Sequence, residues 1–288
     1  MFSNTASAPR FDRIFSLTLI ILIGLAVIFL VDGNPNTLRI VLGGDLPTIS
    51  LAWFLVGSLA AITSAGADLL ARAHPQVQTR TFVAVKLGPL TFEIAPSFWI
   101  LPSFGVVGSF AFFRLFSDRL DGTAFALALA TAGSSLLIIL IAQHYLLDRS
   151  PVLSQRAQVV LQLLGYLMAF GIFSAIYYTR YRTLYSASLI GGTALLIAYA
   201  LLANPTRTNA LPLSLLVGLI MAEVTWAINY WSTTFLIAGT LLLVVFYLAV
   251  SLLHSMSSGQ LSRRLLLEYS LLGLVMFVAI VYTTLQLN

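Results

Sequence analysis

The chain contains no cysteine, and Asp, Glu, Lys and Arg together make up only 9% of its 288 residues. The first absence excludes structural disulfides, thiolate nucleophiles, Cys-ligated zinc and iron–sulfur clusters. The second departs from an ordinary soluble domain, where roughly 25% of residues are charged. Long polar stretches are also missing. The longest connection between apolar runs is about twenty residues, too short for a catalytic domain folded outside a membrane. The formal charge of +5 comes from Lys and Arg scattered at the ends of apolar runs, with no basic tract suited to nucleic acid.

What remains is apolar: 59% hydrophobic residues and a mean hydropathy of +0.96. Lipid offers backbone N–H and C=O groups no partners, so long unbroken apolar runs must satisfy them internally as helices, whereas a barrel needs short alternating segments. Runs at 14–31, 49–71, 94–116, 123–147, 158–178, 184–203, 211–230, 233–254 and 265–285 each approach the length that crosses a hydrocarbon core of about 30 Å. The first is too long for a signal-peptide core and lacks a cleavage site before Asp32, so it is read as a span. The fold class expected is all-α: a polytopic transmembrane helical bundle of about nine spans, forming one domain over residues 1–288. Gly33-Asn34-Pro35-Asn36, His74-Pro75, Asp121-Gly122, Ser150-Pro151, Asn204-Pro205 and Ser257-Ser258-Gly259 punctuate the runs with turn and helix-stop signals. At the shortest joint, 229–234, Trp226, Tyr230 and Trp231 cluster as interfacial aromatics do, which predicts a tight hairpin between two spans. Residues 79–94 are β-rich around Gly88-Pro89 and read as a small cytoplasmic hairpin.

With nine spans, ten of the fifteen basic residues fall on the N-terminal side and five on the other: Arg39, Arg114, Arg119, Arg180 and Arg182. The positive-inside rule then makes the N-terminus cytoplasmic and the C-terminus external, in a bacterial cytoplasmic (inner) membrane.

Ionisable side chains deep in a membrane cost about 2.5–3.5 kcal/mol each on insertion scales, which makes them candidates for function. Glu223 lies about 18 Å into its span, and Trp226 and Asn229 follow at helical spacing on one face, expected to turn inward. These three form a candidate ligand or proton site; the alternative is a glutamate that ties two helices together by hydrogen bonding. Asp68, His144, His254 and Glu268, with His74 and Glu93, fall at similar depth on the cytoplasmic side and form a candidate polar cluster. Asp68 precedes Arg72 by four residues and Glu268 follows Arg264 by four, so interfacial ion pairing accounts for both acids. No His-x-x-x-His or Glu-x-x-His pair places two ligands on one helix face, and neither a metal nor a cofactor is expected. Asp118-x-x-Asp121 and Gly43-Gly44-Asp45 read as turns.

Packing signals are stronger. Gly57, Ala61 and Ala65 recur every four residues, and Ala124, Ala128, Ala132 and Ser135 line the fourth span, so both helices can approach neighbours closely, within the core or at a subunit contact. Pro96 and Pro102 share one span, whose freed carbonyls require kinking or a neighbouring donor.

Three passages together, Trp99-Ile100-Leu101-Pro102, Glu223-x-x-Trp226, and Leu261-Ser262-Arg263-Arg264 followed by Glu268-Tyr269, resemble an uncharacterised family of bacterial multi-pass membrane proteins, a domain of unknown function. The resemblance implies an architecture and no activity.

The function expected first is a non-catalytic integral membrane subunit or scaffold of an envelope or bioenergetic complex, with membrane lipids and proteins of that complex as partners. The alternatives are a transporter or proton-coupled carrier using Glu223 and a membrane enzyme acting on lipid or isoprenoid substrates.

Overall fold

A computed structural model describes residues 11–33, 39–40, 49–74, 83–87, 90–94, 96–116, 122–147, 150–203, 210–231, 233–257 and 262–287. Among them are nine helices: α1 (Phe11–Asp32), α2 (Leu51–Arg72), α3 (Pro96–Arg114), α4 (Gly122–Leu146), α5 (Pro151–Tyr178), α6 (Thr183–Leu202), α7 (Ala210–Ile228), α8 (Phe235–Ser257) and α9 (Arg263–Leu287). Eight of these, α1 to α8, are long and apolar enough to cross a membrane; in α9 the described apolar stretch is the shorter Leu267–Met276. Large apolar side chains lie on the outside, with Leu30 71%, Phe54 70% and Leu163 70% exposed. Water would reject that surface and hydrocarbon accepts it. The chain is a multi-pass helical membrane protein.

Two short antiparallel ladders interrupt the helices. Between α1 and α2, β1 (Arg39–Ile40) pairs with β2 (Ile49–Ser50). Between α2 and α3, β3 (Val83–Leu87) pairs with β4 (Leu90–Ile94) in the register Val83↔Ile94 to Leu87↔Leu90, so the hairpin expected at 79–94 is present. Its turn residues Gly88 and Pro89 lie outside the described residues, as do Gly43-Gly44-Asp45 and Asp118-x-x-Asp121.

The helices pack as two compact units, residues 1–165 and 166–288, with α5 running through the boundary. In the first, α1 buries Ile14, Thr18, Ile21, Leu25 and Ile28, an alternating four-three spacing that keeps one seam facing its neighbours. Leu17 of α1 fills the space over Gly66 of α2, and Leu59 of α2 fills the space over Gly24 of α1. Val106 and Phe110 of α3 and Ala132, Leu136 and Leu140 of α4 complete this core. Ala128, Ala132 and Ser135 are buried as expected, whereas Gly57, Ala61 and Ala65 are exposed; the close approach on α2 uses Ala52, Ala60 and Ala67 instead. Four-residue spacing drifts around a helix with 3.6 residues per turn, and the larger Val56 and Leu59 fix which face turns inward.

In the second unit, α6 and α7 cross backbone to backbone. A Cβ on Gly191 would stand 2.9 Å from the Gly218 carbonyl oxygen, and a Cβ on Gly218 would stand 2.9 Å from that of Gly191. Only hydrogen fits between them. The α5–α8 crossing is tighter still, with Ser174 Oγ occupying the place where a Gly239 Cβ would sit. To one side of this point Phe173 and Tyr166 both pack edge-on against Phe246.

Gly239→Ala therefore forces α5 and α8 apart and is expected to destabilise the protein by about 1–3 kcal/mol. Gly24→Ala, which meets only the flexible tip of Leu59, should cost far less. Thermal midpoints of the two variants in one detergent check this; equal shifts would contradict the crossing.

Candidate functional site

Two places gather polar side chains on these apolar helices, one in each unit. The first begins with a proline. Pro102, inside α3, has no N–H to give the carbonyl of Phe98 one turn earlier. Gln143, 6% exposed on α4, donates its Nε2–H to that carbonyl at 3.1 Å. The neighbouring donor that the two-proline span requires is thus a residue the sequence reading did not single out. An amide in the last turn of an apolar helix was its only signal.

Beside Phe98, the Trp99 indole Nε1–H donates to Asp68 Oδ1 at 3.0 Å, and Arg72 Nε donates to Asp68 Oδ2 at 2.6 Å. The expected pairing of Asp68 with Arg72 is present, and Trp99 joins it to α3. Ser103 returns its hydroxyl to the Trp99 carbonyl and shares a hydrogen bond with Ser64 of α2. Two residues beyond Arg72, the His74 ring packs edge-on against His144, with centroids 4.5 Å apart at 67°. Of the expected polar cluster, Asp68 and His144 thus belong to linked ends of α2, α3 and α4. A cavity of about 40 Å³ opens there, lined by Arg13, His74, Gln143 and His144 together with Ile14, Leu70, Leu140 and Leu147.

His254, near the end of α8, and Glu268, on α9, belong to the second unit. Glu268 is exposed; the side chain of Arg264 lies outside the described residues. Glu93 keeps its place on β4. Among the described residues no three His, Asp or Glu side chains converge as a metal site.

At the opposite end of the first unit Arg114 Nε meets Asp32 Oδ2 at 3.0 Å, and the guanidinium lies 5.7 Å from the Trp53 ring centroid.

The second polar place is on α7. Glu223 is exposed, and Trp226, one turn on, is 48% exposed, so the inward orientation expected for this pair is corrected. The physical reason is the α6–α7 crossing: Ser214, Gly218 and Met221 take the buried face, and Glu223 lies roughly 200° around the helix from Met221. Asn229 does turn toward α6, donating Nδ2–H to Ser186 Oγ at 2.8 Å. Glu223 and Trp226 edge an open groove of about 460 Å³ with Leu184, Ala187, Ser188 and Ala222. Among the described residues no hydrogen bond or ion pair reaches Glu223.

The joint after α7 is held from α5. Tyr177 donates its hydroxyl to the Trp231 carbonyl at 3.0 Å, and Arg180 Nη2 donates to the Thr233 carbonyl at 3.0 Å. The tight connection expected at 229–234 is present, α7 ending at Ile228 and α8 starting at Phe235.

If Gln143 answers Pro102, then Gln143→Leu costs about 1–3 kcal/mol by leaving the Phe98 carbonyl without a donor. Adding Pro102→Ala returns an intrahelical N–H and should recover about half of that loss. Thermal midpoints of the two single variants and the double variant measure the coupling; additive losses would contradict the pairing.

No curated protein and no solved structure gives a significant match to the chain. A family model described as protein of unknown function (DUF5656) matches residues 33–283, and the chain belongs to that family.

Proposed function

We propose, from this family membership and from the exposed carboxyl of Glu223, that the protein is a non-catalytic integral membrane subunit or scaffold, seating a partner on its α6–α7 pair. The single observation behind this reading is Glu223 on an outer face of an apolar spanning helix. A carboxylate there faces a cost of about 2.5–3.5 kcal/mol in hydrocarbon, which a partner's donor would offset. Small residues flank it: Ala187, Ser188, Gly192 and Ala222 line the groove, which from Leu184 to Leu195 runs about 16 Å along α6. A helix can lie close against such a floor. The occupant that fits is a transmembrane helix of another protein that brings Lys, Arg or a hydroxyl donor to the depth of Glu223.

The carrier reading has less support, because a proton or substrate site serves transport when it faces an internal path. The reading as an enzyme on lipid or isoprenoid substrates rests on the histidines and acids of the cytoplasmic side, of which His254 and Glu268 belong to the second unit. The protein is proposed to sit in a bacterial cytoplasmic membrane with its N-terminus inside and its C-terminus outside. Two of the five basic residues assigned to the outer side are tied into the protein, Arg114 to Asp32 and Arg180 to the Thr233 carbonyl. Their structural roles leave the excess of positive charge inside as the orienting signal.

Wild-type protein extracted from native membranes in a gentle detergent should bring a stoichiometric partner. Glu223→Ala should lower its recovery about tenfold while leaving the thermal midpoint unchanged. Recovery of wild type alone, or only as copies of itself, would sink the proposal. Reporter fusions at Ser150 and at the C-terminus should read inside and outside, respectively; two signals on one side would overturn the orientation.

A further inference from the structure

The cavity at the linked ends of α1, α2 and α4 has a composition that the scaffold reading does not use. Four side chains with N–H donors line it from three directions: Arg13 in the first turn of α1, His74 just past α2, and Gln143 and His144 in the last turn of α4. Among the described residues that line it there is no carboxylate. Asp68, the acid on this end of α2, is occupied by Arg72 and Trp99.

His74 is 2% exposed and Gln143 6%, so the donors are built into the wall. Gln143 commits its Nε2 to the Phe98 carbonyl, but an amide nitrogen carries two hydrogens, and the second remains for a ligand. Arg13 is exposed, bringing a full positive charge to the rim. Convergent donors and a cation, with no acid among the described lining residues, are complementary to an anion, and a guanidinium with planar N–H groups matches phosphate oxygens well.

The volume and the remaining wall narrow the class. About 40 Å³ holds roughly three water-sized groups, which suits phosphate oxygens and excludes a whole lipid. Ile14, Leu70, Leu140 and Leu147 make the rest of the wall apolar. The cavity lies where spanning helices end, and basic pockets between the ends of spanning helices take acidic lipid headgroups. We propose that this cavity binds the phosphate of an anionic phospholipid, with Arg13, His144, His74 and Gln143 as donors and the acyl chains outside it in the bilayer.

The full chain, purified in an uncharged detergent and offered phosphatidylglycerol or phosphatidylcholine, tests this by native mass spectrometry of retained lipid. Wild type should retain phosphatidylglycerol at least about fivefold over phosphatidylcholine, and Arg13→Gln and His144→Gln should each reduce that preference by about fivefold. Arg156→Gln, which removes an exposed positive charge elsewhere, is the control and should change nothing. Equal retention of the two lipids would overturn the proposal, and so would an unchanged preference in the Arg13→Gln, His144→Gln double variant. A matching loss in Arg156→Gln would reduce the effect to surface charge and also overturn it. Inorganic phosphate, added alone at millimolar concentration, should not displace the lipid; displacement would assign the site to a free anion instead. Arg13 is exposed, so its substitution reads binding even where a buried change disturbs folding.

Discussion

A backbone carbonyl in hydrocarbon has no water to fall back on, and the first unit is arranged around one such group. Pro102 withdraws the N–H that Phe98 would otherwise receive, and Gln143 supplies one from the facing helix. That bond holds the end of α4 beside the start of α3. The Trp99 indole, the next residue along, reaches the opposite way to Asp68 and so ties α2 to the same point. His74 and His144 can meet because α2 and α4 are both held to α3. Removing the proline would leave a straighter helix with its own ladder intact and no reason for Gln143 to be buried there.

The second unit depends on missing side chains. Where water is absent, burying apolar surface gains little, since lipid tails are as apolar as leucine, and close contact must come from shape. Gly191 and Gly218 let two backbones touch, with each carbonyl over the other's α-carbon, the geometry of weak C–H···O contacts. Gly239 does the same for Ser174, whose buried hydroxyl has no hydrogen-bond partner among the described residues. Polar tethers then fix the ends: Asn229 to Ser186, Tyr177 to the Trp231 carbonyl and Arg180 to that of Thr233.

Span positions were legible in the sequence because composition alone marks them. The apolar runs to 254 coincide with helices within three residues, except that α5 begins at Pro151, seven residues before the run expected at 158, and the β-hairpin followed from its Val- and Phe-rich flanks around Gly-Pro. Facing was legible only in part. Uniformly apolar helices give no amphipathic signal, so Ala128 and Ala132 were assigned inward correctly, whereas Gly57, Ala61, Ala65 and Glu223 lie outward. A carboxylate reads as internal when hydrocarbon is taken to be its only alternative, yet the α6–α7 crossing uses the other face. The Asp68–Arg72 pair was readable from its four-residue spacing, but Trp99 was not, because a contact across 31 residues leaves no periodic trace. The histidine pair likewise depends on which helices adjoin, which an apolar pattern does not encode.

The glycine crossing of α6 and α7 also bears on how the chain enters a bilayer. α7 carries one acid in its span, and on insertion scales an acidic residue at a helix centre costs about 2.5–3.5 kcal/mol. Its contacts with α6 are local in sequence, so the two helices can pair as soon as both are synthesised. A helical hairpin formed in this way hides the polar carbonyls at its crossing and presents a single carboxyl to lipid instead of two separate helix surfaces. Biogenesis and assembly then act on the same object: the pair that carries Glu223 into the membrane is the pair that later displays it.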